Sequence, residues 1–309
     1  MSAQQVRPTH SDSDRAIVST RSLIHNSREY ASLSPQLQEF LNDHLYGCET
    51  VDRFTPSSAL LARRRSAGCL QATMQLHFND ILGPNPEPYL ATFAYLAGEV
   101  PMGHTLKNTQ TMISEALQAL SSFELEGVLT TDIDLLLPLG CTQPIVAWHL
   151  HGVVVSTRSS KRKLRLKKTA RQMDELIGLQ SRLPLGANLR GKLPGSSSVH
   201  AETMAAYAGK NTSALKVEST SSNGKPKFER DRSLYTAKHA INVLYAWSQI
   251  PVLESLIPVG RFGEQLHRTW EKNLCARKAY EARSVSFGSA NRVDQWQEIL
   301  GAINNSSQN

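Results

Sequence analysis

The chain of 309 residues has only four cysteines, Cys48, Cys69, Cys141 and Cys275, and no two of them fall in a CxxC spacing. A disulfide framework or zinc ribbon is therefore not expected, and the four read as scattered reduced thiols. No run of about eighteen apolar residues occurs, and no charged start leads into an apolar segment with a small-residue cleavage site. Neither a membrane span nor a signal peptide is expected, which makes a cytoplasmic protein with no membrane partner the expectation. Acidic residues are outnumbered, 27 Asp and Glu against 34 Lys and Arg, for a net charge of +7. That balance favours phosphate-bearing partners without specifying one. A hydrophobic content of 40% fits a globular core with polar ends.

The chain divides by composition. Residues 1–30, rich in Ser, Asp, Arg and Gln without periodicity, and residues 301–309 are expected as disordered ends. Residues 31–84 read as a helical N-terminal extension, in which Ser34 and Pro35 suit an N-cap and a first helical position. The stretch "PYLATFAYLAG" from Pro88 reads as a strand. It is followed by a helix with Met112, Ile113, Ala116, Leu117 and Leu120 on one face, then by two strands, "TDIDLLLPLG" and "VAWHLHGVVVS". Strand, helix, strand, strand over a core of residues 85–219 predicts an α+β fold, an antiparallel sheet with helices on its faces in a ferredoxin-like arrangement. Residues 220–231 carry turn signals and read as a linker, and residues 232–300 as a helical C-terminal region, a separate unit with Leu234, Ile241, Leu244 and Trp247 as its core.

Two histidines one residue apart sit inside the apolar run "VAWHLHGVVVS". On a strand, His149 and His151 project from the same face, where two imidazoles can hold one divalent ion and leave positions for further ligands. A hairpin turn centred on Gly140 and Cys141 places Asp132 opposite His149, with Asp134 on the same face nearer the turn. A slip of two residues would exchange the two acids. A carboxylate beside two imidazoles favours Mg²⁺ or Mn²⁺ over a structural zinc.

Two Tyr-x-x-Lys pairs lie downstream, Tyr207 with Lys210 and Tyr235 with Lys238. On a helix, positions i and i+3 share a face, so the ammonium can sit beside the phenol oxygen. A free tyrosine is a poor nucleophile, and a nearby cation supplies the activation it needs. Tyr207 is the preferred candidate because its Ala-rich helix would pack closely on a sheet, and Tyr235 with Lys238 remains the alternative. The basic run at Lys161, Arg162, Lys163, Arg165, Lys167 and Lys168 is a candidate DNA-backbone contact, as is "RRR" at Arg63–Arg65.

This order of elements, with "WHLHGVVV" on a hairpin strand, a basic helix and "YAGK" on a later helix, resembles the HUH endonucleases, in particular the rolling-circle replication initiators of plasmids and phages. The resemblance covers residues 85 to 215. It implies an RRM-like core in which His149 and His151 are metal ligands and Tyr207 attacks a DNA phosphate with Lys210 as its neighbour. It further implies single-stranded or hairpin origin DNA as partner, with a host helicase and polymerase. Two other functions are kept: a non-catalytic DNA-binding protein on the same scaffold, and a relaxase or transposase of the same chemistry. "GANLRGKL" has the spacing of a phosphate-binding loop but Leu193 where Ser or Thr belongs and Pro194 where a helix should start, so it is discounted.

Overall fold

The computed structural model describes residues 10–47, 51–82, 88–157, 166–177, 187–190, 197–208, 210, 214–222, 224, 226–276 and 292–305. Four helices come first: α1 (His10–His25), α2 (Arg28–Ala31), α3 (Pro35–Tyr46) and α4 (Leu60–Leu82). The first two correct the expectation that residues 1–30 are disordered. The polar composition hid a narrow stripe, Ile17, Thr20 and Ile24, which recurs at helical spacing and is buried. α3 begins as its sequence predicts, with Ser34 Oγ accepting from the Leu37 amide and Pro35 in the first turn.

The core alternates strands and helices: β1 (Pro88–Pro101), α5 (Thr109–Ser122), β2 (Leu125–Leu137), β3 (Ile145–Ser156), α6 (Leu166–Ile177), β4 (Ala187–Arg190), α7 (Ser197–Ala208), β5 (Leu215–Thr220) and β6 (Pro226–Asp231). After it come α8 (Ala237–Ser248), β7 (Leu256–Val259), α9 (Gly260–Ala276) and α10 (Arg292–Asn305). The strands form one mixed seven-stranded sheet in the order β4-β1-β3-β2-β5-β6, with β7 pairing β2 beside β5. Most pairs are antiparallel and β2–β5 is parallel. The α+β class therefore stands, with a sheet more mixed than the sequence pattern predicts.

Two further expectations change. Residues 220–231 are not a linker, because 226–231 pair with β5 as an edge hairpin. Of β5 only Leu215 is buried, so no apolar alternation announced the strand. The C-terminal region is not a separate unit either: β7 pairs with Gly127–Thr130 of β2, and Ile241, Leu244 and Trp247 belong to the same buried cluster as the sheet residues Ile133 and Trp148. Leu234 is exposed. The expected disordered tail is helical as far as Asn305.

Strand alternation splits the sheet into two faces. Leu129, Ile133, Leu135, Trp148, Leu150 and Val154 pack on one side with α5 and α8, and Val128, Val153 and Val155 on the other with α4, α7 and α9. On the second face the helices come very close. A Cβ on Gly263 of α9 would lie 2.0 Å from the Gly127 carbonyl oxygen, so only glycine fits there. No described helix is long and apolar enough to cross a membrane.

Candidate metal centre

The site begins with strand register. β2 and β3 pair so that Asp132 opposes His149 and Asp134 opposes Ala147, the register that a turn at Gly140 and Cys141 requires. Asp132, Asp134, His149 and His151 therefore share the face that carries α4 and α7. On the other side of β3, Thr92 of β1 opposes His151. The two acids and His149 are almost fully buried, and His151 keeps 13% of its side chain exposed, which makes it the solvent-facing member.

The nitrogens and oxygens converge. His149 Nε2 lies 2.9 Å from His151 Nε2 and 3.3 Å from Asp132 Oδ2, and His151 Nε2 is 3.5 Å from the same oxygen. Adjacent ligands around an ion with bonds of ~2.1 Å are separated by roughly 3.0–3.4 Å, so this triangle fits a small divalent cation. The outer groups suit the task. His149 Nδ1 donates to the Ala147 carbonyl (3.3 Å), which leaves the Nε2 lone pair facing inward. His151 Nδ1 is 2.9 Å from Thr92 Oγ1, which can accept in the same way. Asp132 Oδ1 accepts the Ile133 amide at 2.8 Å, leaving Oδ2 for the cluster. Among the described residues Asp132, His149 and His151 form a group able to hold a metal ion. Asp134, the alternative acid, reaches His149 Nε2 at 3.5 Å.

Protonation follows from burial and neighbours. Burial pushes the His151 imidazole down to about 4 against a smaller upward pull from Asp132, so it is neutral at pH 7 and available as a ligand. Burial alone would raise both carboxyls. The Lys210 ammonium first, and then His149 at Asp132 and Lys216 at Asp134, overcome it and hold both well below the usual range. Lys210 Nζ donates to Asp132 Oδ2 and Asp134 Oδ1. Lys216 of β5 donates to Asp134 Oδ2. Burial would lower the Lys210 ammonium, but the two carboxylates raise it above its ordinary value.

The tyrosines separate here. The Tyr207 ring stacks on His151 with centroids 4.5 Å apart and planes at 29°, half-exposed at the edge of the cluster. Lys210 arrives by a route other than the shared helical face. α7 ends at Ala208, the Lys210 amide donates back to the Tyr207 carbonyl at 3.1 Å, and the ammonium turns to the two acids. Tyr235 is 7% exposed and precedes α8 rather than beginning it, and burial pushes its hydroxyl well above the usual value. Lys238, in the first turn of α8, is half-buried. Of the basic run, Lys167 and Lys168 are exposed at the start of α6, while Lys161, Arg162, Lys163 and Arg165 lie outside the described residues.

Sequence reasoning missed Thr92, Lys216 and, most instructively, Arg63. Arg63 is 2% exposed, and so makes no surface contact with a phosphate backbone. Its Nη2 donates to the Lys210 carbonyl at 2.8 Å, and its guanidinium lies 4.2 Å over the Trp247 ring. Burial lowers it to about 10, with Asp132 and then Tyr235 pulling it back up, so it remains charged beneath the site. Its phase along α4 with the buried Ala67, Leu70 and Met74 was the available signal.

Comparison with protein families, with curated proteins and with solved structures gives no match to this chain.

Proposed function

We propose that the chain is a metal-dependent enzyme that nicks and rejoins single-stranded DNA at an origin and so initiates rolling-circle replication, on a sheet of the HUH, RRM-like kind. The observation that carries this reading is the stacking of Tyr207 on His151, which sets one phenol at the rim of a cluster of two imidazoles and a carboxylate. A half-exposed tyrosine next to a metal-competent group has both a route to substrate and a reason to react. The exposed Lys167 and Lys168 and the net charge of +7 agree with a polyanionic partner.

Asp132, His149 and His151 would hold Mg²⁺ or Mn²⁺. When bound, the ion supplies Lewis-acid polarisation of the scissile phosphate and offsets charge developing on its oxygens. The chain's own groups do the rest. Thr92 and the Ala147 carbonyl fix the imidazoles, Lys210 and Lys216 keep the carboxylates ionised, and Arg63 ties down the Lys210 backbone. The Tyr207 hydroxyl attacks phosphorus. The bond from Tyr207 oxygen to phosphorus forms, the bond from phosphorus to the 3′-oxygen breaks, and the phenol proton ends on that 3′-oxygen. The products are a 5′-phosphotyrosine and a 3′-hydroxyl that a polymerase can extend, and attack by that hydroxyl reverses the step.

The test is a pool of 3′-end-labelled single-stranded oligonucleotides incubated with the protein and Mn²⁺. The expected result is label carried covalently into the protein band, abolished by EDTA and by Tyr207→Phe. DNA binding without any adduct would overturn the nickase reading in favour of a non-catalytic DNA-binding protein.

A further inference from the structure

One carboxylate oxygen of the cluster serves two cations. Asp132 Oδ1 accepts the Ile133 amide at 2.8 Å, so Oδ2 is the oxygen that Asp132 offers inward. His149 Nε2 and His151 Nε2 lie 3.3 and 3.5 Å from that oxygen, close to the spacing of ligands around one small ion. Lys210 Nζ donates to the same Oδ2. The ammonium therefore takes the oxygen that an ion held by the two imidazoles also needs. Two positive charges on one buried oxygen repel strongly, because little water is there to screen them.

Asp134 offers a second seat. Its Oδ2 accepts from Lys216 of β5, and its Oδ1 already accepts from Lys210 Nζ at 3.2 Å. The Lys210 main chain is fixed on both sides: its amide donates to the Tyr207 carbonyl at 3.1 Å, and its carbonyl accepts from Arg63 Nη2 at 2.8 Å. A change of partner for the ammonium is thus a movement of the side chain's end, with the backbone still.

We propose that Asp134 is a positioning residue for the metal centre: when a divalent ion binds to Asp132, His149 and His151, Asp134 takes over the Lys210 ammonium and frees Asp132 Oδ2. Lys210 is then an internal cation that holds the metal-free acids together and competes with the ion for one oxygen. The two acids have different tasks, Asp132 as a ligand and Asp134 as the seat to which Lys210 withdraws. The inference rests on reading the cluster as a metal centre and not on the nicking of DNA.

The test is Mn²⁺ binding to the full chain at neutral pH, read from loss of the free-ion EPR signal with no DNA present. Binding that His149→Ala abolishes locates the ion at the centre. Lys210→Met, which keeps the stem and removes the charge, is expected to tighten binding about tenfold, and Lys210→Gln, which keeps a donor for the acids, to act in the same direction. Asp134→Asn is expected to weaken binding about fivefold in the parent chain, because the ammonium then has only Asp132. In the Lys210→Met background the same change is expected to alter binding by under about twofold, because no ammonium remains to be seated. Equal or weaker binding in both Lys210 variants would overturn the proposal and leave the metal centre standing. So would an Asp134→Asn loss that is as large without Lys210, since Asp134 would then be a ligand itself. Absence of Mn²⁺ binding in the parent and in both Lys210 variants would overturn the metal centre and the proposal with it.

Discussion

Tyr207 and Tyr235 have the same spacing to a lysine and opposite surroundings. Tyr207 lies half-exposed against His151, and its lysine neutralises the two acids of the cluster. Tyr235 is buried, its hydroxyl driven upward by desolvation, with Arg63 as the cation that opposes the shift. Spacing brought both to attention, but only the fold distinguishes them, because a nucleophile needs access and a low cost of ionisation, and burial withholds both. The sharpest way to break the comparison is chemical. Tyr207→Phe is expected to reduce the covalent DNA adduct by at least about a thousandfold, and Tyr235→Phe to leave it within a few-fold. An adduct that vanishes only in Tyr235→Phe would reverse the assignment.

The next contrast lies one residue apart. Arg63 is buried beneath the site, while Arg64 is exposed and pairs with Asp14 at 2.6 Å on the surface. Removing one member of a buried charged network leaves the rest uncompensated, so Arg63→Ala is expected to cost about 3–5 kcal/mol in urea unfolding. Arg64→Ala should cost under about 1 kcal/mol, because solvent screens its pair. Equal losses would mean that Arg63 carries no support for the Lys210 segment.

These pairs also mark how far the sequence could be read. The hairpin, its register and the convergence of Asp132, His149 and His151 were legible because alternation and a two-sided turn leave few registers open. The stacking of Tyr207 on His151 was open only as a preference between two helices, since which helix end reaches the sheet depends on packing of α7 against α4. Arg63 was misread because a charge run looks like surface in one dimension, and only its phase with Ala67 and Leu70 says otherwise. The β5–β6 hairpin and β7 were missed because short, polar or proline-bearing strands gain their stability from pairing and show no periodicity of their own.

Acid provides a third test. The His151 imidazole is held down to about 4 in the folded chain against about 6.5 unfolded, so it is the unfolded state that takes up the proton first. The associated stability is complete above about pH 6.5 and is lost as pH falls towards 4, by up to about 3 kcal/mol in metal-free protein. His151→Gln should flatten the pH dependence of the urea midpoint over that window. An unchanged slope would place the loss elsewhere.

The smallest effect closes the comparison of the tyrosines by inverting it. Tyr235→Phe removes a hydroxyl from a buried position and should lower stability by about 1 kcal/mol while sparing the adduct. Tyr207→Phe removes a hydroxyl from a half-exposed ring whose stacking on His151 survives, so its unfolding midpoint should fall within about 0.5 kcal/mol of the parent. One tyrosine would then matter to chemistry and not to folding, the other to folding and not to chemistry. If both substitutions destabilise alike, Tyr207 is held as a structural residue, and the loss of adduct on its replacement no longer identifies a nucleophile.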